Sequence, residues 1–142
     1  MRYYIAVDHA GYKIKDFVIK IFNSFEDEVI DLGTFDEKRV DYPDFAKKVT
    51  TKVLEDIDSQ GVLICGTGIG MSMSANRFKG IRAALCHDSL SAKLSKQHND
   101  ANVLCMGSRV SSEATIKQII KSWRENFFEQ GRHTNRVKKL DI

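Results

Sequence analysis

The sequence predicts an α/β fold in which a five-stranded parallel sheet, in the order 2-1-3-4-5, carries helices on both faces. Short apolar runs alternate along the chain with longer stretches in which apolar residues recur every three or four positions. The short runs suit buried strands, and the longer period suits helices that pack one face on a sheet. Regular alternation of the two is typical of βα units in a doubly wound, Rossmann-like sheet.

Strands are predicted where short apolar runs stop at glycine or at polar residues. These runs cover residues 3–7, 29–32, 62–65, 81–86 and 102–106. Helices are predicted between and after them from apolar stripes. The stripes cover residues 14–25, 45–57, 72–78, 90–94 and 116–127. Pro43 suits the first turn of the second helix, and Asp88 or Ser89 can cap the fourth. Ser111 or Ser112 can begin the last.

Size and composition favour one domain over residues 1–142, with a basic tail over residues 131–142. The net charge of +3, from 22 basic and 19 acidic side chains, gives no reason to expect nucleic acid or a membrane surface as the partner. No apolar run is long enough for a membrane span. Three cysteines without the dense spacing of a disulfide framework favour a reducing, cytoplasmic compartment.

Polar side chains follow the predicted strands. They are Asp8 and His9 after the first strand, Cys65 at the end of the third, His87 and Asp88 after the fourth, and Arg109 after the fifth. In a doubly wound sheet the ligand lies outside the carboxyl ends of the strands. We therefore expect these side chains to gather at one edge of the sheet.

The sharpest local signal is the glycine turn, which we define as Gly66 to Gly70. Its backbone amides can hold an anion, either a phosphate or a developing oxyanion. The spacing is neither Gly-x-Gly-x-x-Gly nor the Walker pattern, so dinucleotide and ATP binding are disfavoured. A tight strand-to-helix turn without a ligand is the alternative.

Cys65, directly before the glycine turn, is the candidate base or nucleophile, because positive potential at the turn favours a thiolate. Cys86 and Cys105 are interpreted as small packing groups. A zinc site built from the three thiols and a histidine is disfavoured, since no Cys-x-x-Cys pair is present and the thiols lie on three strands. We therefore predict no metal.

His98 and the pair of arginines in the tail are further candidate functional residues, and for each of them a purely structural role remains open. His98 could move a proton near neutral pH, or it could be a surface histidine at a helix end. Arg132 and Arg136, four residues apart, would share a face in a helix and could clamp a phosphate. They could equally belong to a solvated basic end. His87 and His133 are interpreted as structural or solvent-facing.

Ordered motifs carry a family resemblance from Tyr4 to Val137. They are Asp8-His9-Ala10-Gly11, Asp41-Tyr42-Pro43, Ile64 to Gly70, Ala75 to Ala83, Ser95 to Leu104, Gly107 to Val110, and Gly131-Arg132-His133. In this order they resemble the type B ribose-5-phosphate isomerase family. The resemblance implies an enzyme of the pentose phosphate pathway that interconverts ribose 5-phosphate and ribulose 5-phosphate through a cis-enediolate, with no cofactor.

The resemblance also implies roles for individual residues. Cys65 would remove the proton next to the carbonyl, Thr67 would assist proton movement between the two oxygens, and His98 would act as the acid that opens the furanose ring. The positions implied to bind substrate are Asp8, His9, Tyr42, Gly66, Gly68, Ile69, Gly70, Asn99, Arg109, Arg132 and Arg136. The tail would complete the phosphate site.

A serine branch of the family places a glutamate base after the glycine turn, where this chain has Met71, so the chain fits the cysteine branch. The resemblance further implies a homodimer or homotetramer whose pockets lie at the subunit interface. Two alternatives remain open: isomerisation of a six-carbon substrate, such as allose 6-phosphate or galactose 6-phosphate, and a non-enzymatic sugar-phosphate sensor.

Overall fold

The computed structural model describes all 142 residues, and its sheet lies between two layers of helices. The strands are β1 (Arg2–Val7), β2 (Glu28–Asp31), β3 (Ser59–Cys65), β4 (Ala83–Leu85) and β5 (Val103–Gly107). The helices are α1 (Tyr12–Ser24), α2 (Tyr42–Glu55), α3 (Ile69–Ala75), α4 (Ser89–Asn99), α5 (Glu113–Glu125) and α6 (Arg132–Lys138). None of these helices combines the length and the apolar character that crossing a membrane requires.

All strand pairs are parallel, which confirms the predicted fold class, but the strand order is 2-1-3-5-4. The predicted order is therefore wrong for the last two strands. β5 is buried along its whole length and pairs with both β3 and β4. β4 has three half-buried residues and a single neighbour. A fully buried strand suits the interior of a parallel sheet, and a short strand suits its edge.

Each face of the sheet has its own hydrophobic core. On one face α1, α4 and α5 pack around Phe22, Ile116, Ile120 and Trp123, all with no exposed surface. The indole of Trp123 donates a hydrogen bond to Gln60 Oε1 at 2.8 Å, so its polar group is paired despite burial. On the other face α2 and α3 pack against the sheet. The helix that follows β1 and the helix that follows β3 therefore lie on opposite faces of the sheet, so the direction of winding reverses between these two neighbouring strands.

The predicted caps are confirmed. Asp88 accepts a hydrogen bond from the Ser91 amide at 2.7 Å, and the Ser91 hydroxyl accepts one from the Asp88 amide, a reciprocal capping box. Ser112 accepts from the Thr115 amide at 3.2 Å at the start of α5. Pro43 lies in the first turn of α2.

Several element boundaries differ from the predictions, and four of the differences change which side chains are exposed or how the site is built. α2 ends before Ile57 and α5 ends before Phe127, so these two side chains are 93% and 75% exposed instead of facing the core. α3 begins at Ile69, earlier than predicted, because Gly68 in a left-handed conformation is already its N-cap, so Ile69 and Gly70 belong both to the glycine turn and to the helix. The basic tail, for which the sequence allows either a helix or a solvated end, contains a sixth helix, α6.

Candidate active site

The glycine turn follows β3 without a break and holds the sulfur of Cys65 against its backbone. The Gly68 amide donates a hydrogen bond to Cys65 Sγ at 3.2 Å. Gly68 has a φ of 78°, and a Cβ there would lie 2.5 Å from a methyl carbon of Leu85 and 2.9 Å from the carbonyl carbon of Met106. Only glycine fits this position. The turn thus places a donor on the sulfur that no bulkier residue could supply.

The three thiols have different surroundings. Burial raises the pKa of Cys86 to about 11 and raises that of Cys105 well above its ordinary value. Both thiols therefore stay protonated at neutral pH and serve as packing groups. Cys65 is 5% exposed and lies where β3 meets the turn. It alone has a sulfur that accepts a backbone amide hydrogen bond.

The loop after β1 is tied to the neighbouring strand ends. Asp8, which is 6% exposed, accepts hydrogen bonds from the amides of Ala10 and Gly11 at 2.9 and 3.1 Å. The Ser108 hydroxyl donates to the Ala10 carbonyl at 2.7 Å, and the Ser108 amide donates to the Cys65 carbonyl at 2.9 Å. The ends of β1, β3 and β5 are therefore joined by hydrogen bonds into one continuous rim.

Arg109 and Tyr42 lie over opposite ends of the glycine turn. The Arg109 amide donates to the Gly66 carbonyl at 2.9 Å, and a Cβ on Gly66 would lie 3.1 Å from Arg109 Nη1. A Cβ on Gly70 would lie 2.7 Å from the Tyr42 ring. Arg109 reaches the turn because β5, not β4, is the neighbour of β3. A cation and an aromatic ring thus border the amides.

The remaining predicted residues of this edge are peripheral or have local roles. His9 Nδ1 accepts the Val40 amide at 3.2 Å, and Thr67 Oγ1 accepts the Ile69 amide at 3.2 Å. His87 and Asp88 follow the edge strand β4 and are exposed, and Asp88 serves as the cap of α4.

A second group of polar side chains, which we name the acid cluster, consists of His98, Glu129 and His133. His98 Nε2 lies 3.6 Å from Glu129 Oε1, and the His98 ring stacks on His133 with 4.2 Å between centroids and 14° between planes. Arg132 and Arg136 lie beside the cluster on α6, and both are exposed. The cluster therefore combines two imidazoles, one carboxylate and two nearby cations.

Burial, followed by the electrostatic effects of the neighbouring His98 and Arg132 side chains, lowers the pKa of His133. His133 is 6% exposed, and its Nε2 has no hydrogen-bond partner. The structure therefore favours a neutral His133 at neutral pH.

The acid cluster is also a group of donors that could hold a metal ion, with ligand atoms within 4.8 Å of one another. Each imidazole lone pair lies in its ring plane, and the two rings are nearly parallel. The lone pairs therefore do not converge on one point, and metal binding would require the rings to rotate. This arrangement suits proton handling better than metal coordination.

The structure brings the predicted site residues together in two groups, not one. Cys65 pairs with Gly107 at the carboxyl edge of the sheet, and Gly61 pairs with Val103 at the other edge. These two levels are about 13 Å apart at the usual rise per residue. His98 is the penultimate residue of α4, a few residues before β5 begins, so it lies at the amino edge. Asn99, Arg132 and Arg136 belong to that edge as well.

Glu129 and Ser108 are polar residues of these groups that sequence reasoning missed. Glu129 lies outside any periodic segment, between α5 and α6, and only its spacing of four residues from His133 offered a signal. Ser108 follows a predicted strand, and this position was its only signal in the sequence. Its hydrogen bond to Ala10 could not be predicted, because it depends on the observed strand order.

A thiol on a turn of backbone amides, beside a cation and at the point where a doubly wound sheet reverses, defines a class of α/β enzymes for small anionic substrates. The chain belongs to the ribose/galactose isomerase family, whose model matches residues 3–140. The Escherichia coli protein named ribose-5-phosphate isomerase B is 44% identical over 133 residues, which cover 94% of this chain and 89% of that protein.

Solved structures of similar proteins agree with this assignment. Ribose-5-phosphate isomerase B of Clostridium thermocellum superposes with a TM-score of 0.96 at 42% identity, covering 99% of this chain and 95% of that chain. The Thermotoga maritima ribose 5-phosphate isomerase superposes with a TM-score of 0.95 at 41% identity, covering 99% of this chain and 97% of that chain.

Proposed function

We propose that this chain is a cofactor-independent aldose–ketose isomerase that interconverts ribose 5-phosphate and ribulose 5-phosphate. The observation that carries the proposal is the sulfur of Cys65, which accepts the Gly68 amide at 3.2 Å at the mouth of the glycine turn. The names of the E. coli and C. thermocellum relatives favour the five-carbon substrate over six-carbon sugar phosphates and over a sensor. Three free thiols favour the cytoplasm as the compartment.

In the proposed mechanism the Cys65 thiolate removes the proton from C2 of the open aldose. The C2–H electron pair forms the C1–C2 double bond of an enediolate, and the negative charge moves to O1. Amides of the glycine turn other than that of Gly68, which donates to the Cys65 sulfur, receive that charge, and loss of one such donor typically costs about 2.7–4 kcal/mol. Thr67 assists transfer of the O2 proton to O1. The Cys65 thiol then returns its proton to C1, which leaves the carbonyl at C2.

The phosphate of the substrate would lie away from the reacting carbons. Arg109 beside the turn, together with Arg132 and Arg136 from the tail over residues 131–142, would bind it through charge-assisted hydrogen bonds. Asp8, His9, Tyr42, Ile69 and Asn99 would complete the contacts to the sugar. Remote binding of this kind positions the reacting carbons and raises turnover.

A second copy of the chain would complete each site. His98 and the tail lie at the amino edge, whereas Cys65 lies at the carboxyl edge of the same sheet. Ile69 and Met73, one turn apart on α3, are 44% and 63% exposed and border the glycine turn. Packing of a second copy on this apolar face would bring a foreign His98 toward Cys65. These observations support a homodimer, or a homotetramer built from such dimers.

The test is exchange of the C1 hydrogen of ribulose 5-phosphate with solvent deuterium, followed by NMR with a chelator present. The parent protein should catalyse exchange and conversion to the aldose. Cys65→Ala should lower both rates by about 10²–10⁴-fold, the usual contribution of a positioned acid or base. Cys86→Ala, which removes a buried thiol from the other core, is the matched control. Full exchange in Cys65→Ala, or no exchange in the parent, would contradict the proposal.

A further inference from the structure

The segment that joins α5 and α6 carries Glu129 of the acid cluster and is hydrogen-bonded to α4, which carries His98. The Glu129 amide donates a hydrogen bond to the Gln97 carbonyl at 3.0 Å, one residue before His98. The side-chain amide of Gln97 donates to Asn126 Oδ1 at 3.1 Å, at the start of the same segment. The segment is thus attached at Asn126 and at Glu129 to the turn of α4 that carries His98, and these bonds hold the backbone of Glu129 beside that turn.

Glu129 faces one edge of the His98 ring, and His133 covers one face of it. The carboxylate oxygen lies 3.6 Å from His98 Nε2, and the two rings stack at 4.2 Å. His133 is buried and has no hydrogen-bond partner for its Nε2. His133 therefore offers a flat, neutral support, and Glu129 is the one carboxylate within ion-pair distance of His98. The two neighbours therefore contact the His98 ring at one nitrogen and over one face.

We infer that Glu129 is a positioning residue for the ring-opening step, in which it orients His98 and balances the charge of its imidazolium form while His133 supports the ring. This inference rests on the proposed function, in which His98 acts as the acid. In that step His98 gives its proton to O4 of the furanose. The C1–O4 bond breaks with its electron pair on O4, and the anomeric O1 loses its proton to water as the C1 carbonyl forms.

The chemistry of the two sugars separates this step from proton abstraction. Ribose 5-phosphate closes a five-membered ring through O4, so it must be opened before Cys65 can act. Ribulose 5-phosphate has its carbonyl at C2 and would need O5 to form such a ring, but O5 carries the phosphate. The ketose is therefore open, and exchange of its C1 hydrogen with solvent requires Cys65 and the glycine turn but no ring opening.

The experiment compares Glu129→Gln with the parent, and with Glu125→Gln as a matched control. Glu125 is an exposed carboxylate on α5 whose nearest cation, Lys121, is 4.0 Å away. Glu129→Gln should lower kcat for net conversion of ribose 5-phosphate by about tenfold or more, within the range of a positioned acid. Its exchange of the ribulose 5-phosphate C1 hydrogen should stay within about twofold of the parent, and Glu125→Gln should match the parent in both assays.

Unchanged conversion in Glu129→Gln would overturn the inference. So would an equal loss of conversion and exchange, because that outcome would mean that Glu129 supports the whole site and not ring opening. Failure of the proposed function gives a different pattern, namely exchange that survives in Cys65→Ala. A further variant, Glu129→Asp, should recover part of the conversion rate that Glu129→Gln loses, since it restores the negative charge.

Discussion

The glycine turn and the acid cluster are both candidate catalytic regions, yet they are built in opposite ways. At the turn, backbone groups of three adjacent strand ends hold one another, as in the bonds from Ser108 and Arg109 to Cys65 and Gly66. At the acid cluster, side chains from α4, α6 and the segment before α6 meet on the surface of the helical layer. The first region depends on sheet topology, and the second depends on how helices pack.

Each region suits a different step of the proposed reaction. A donor that must receive a developing charge benefits from fixed backbone geometry, because no reorganisation is then required in the transition state. An acid that opens a ring must gain and lose a proton with solvent, which suits a partly exposed side chain; His98 is half-buried, whereas Cys65 is buried. The two regions also lie at opposite edges of the sheet, so one chain does not unite them.

The largest expected effect comes from mixing two inactive variants. Cys65→Ala lacks the base and His98→Asn lacks the acid, so each alone should show very little conversion of ribose 5-phosphate. If the sites are shared between copies in a two-fold dimer, random mixing should restore about a quarter of parental activity, because half of the dimers then hold one intact site of two. The measurement is conversion after the variants are mixed, partly unfolded and refolded together.

Sites contained within one chain would show no recovery on mixing, and that result would remove the shared site from the proposal. Two controls fix the scale. The parent should be carried through the same refolding, and each variant should be refolded alone.

A smaller effect is expected for Arg109→Lys at the glycine turn. Lysine keeps the charge but loses the planar fork that binds phosphate in two places, and a hydrogen bond to a charged group contributes about 1.5–3 kcal/mol. KM for the sugar phosphate should rise about tenfold or more, with a lesser change in kcat. Arg77→Lys, at an exposed arginine with no side-chain hydrogen bond, is the control. An unchanged KM would show that Arg109 is not a phosphate ligand.

The smallest effect concerns stability at the acid cluster. Burial lowers the pKa of His133 below its ordinary value of 6.5, so below that pH the unfolded chain binds a proton more readily than the native protein. The stabilisation from a neutral His133 is present above pH 6.5 and is lost as the pH falls through the native pKa. His133→Asn should therefore lose less stability than the parent between about pH 7 and about pH 5 in urea unfolding.

His87→Asn is the matched control, because His87 is exposed and its variant should follow the parent curve. Parallel curves for the parent and His133→Asn would show that His133 has no unusual environment in the native protein.

Sequence reasoning was strongest where local pattern decides the structure. The run from Val62 to Cys65 followed by glycines predicted a strand, a turn and the site of the thiol, because the chemistry and the geometry lie in adjacent residues. Asp88 and Ser112 were predicted as caps for the same reason. These features need only a few neighbouring residues to be interpreted.

Sequence reasoning failed where contacts between distant parts of the chain determine the structure. The apolar runs of β4 and β5 look alike in isolation, and their order depends on which of them best fills the space next to β3. His98 and Glu129 are 31 positions apart, and nothing in their spacing predicts that they meet. The separation of the two edges likewise follows from the direction of α4, which only the assembled sheet defines.

The direction of α4 implies that activity should depend on the protein concentration. A helix that starts at one edge of a parallel sheet and returns to the other carries His98 away from its own Cys65, so under the proposed function an isolated chain holds two incomplete halves. Specific activity would then fall on dilution below the dissociation constant of the assembly. Below that concentration the reaction rate per unit volume would rise with nearly the square of the protein concentration, so the activity of each chain would depend on how much of the protein is present.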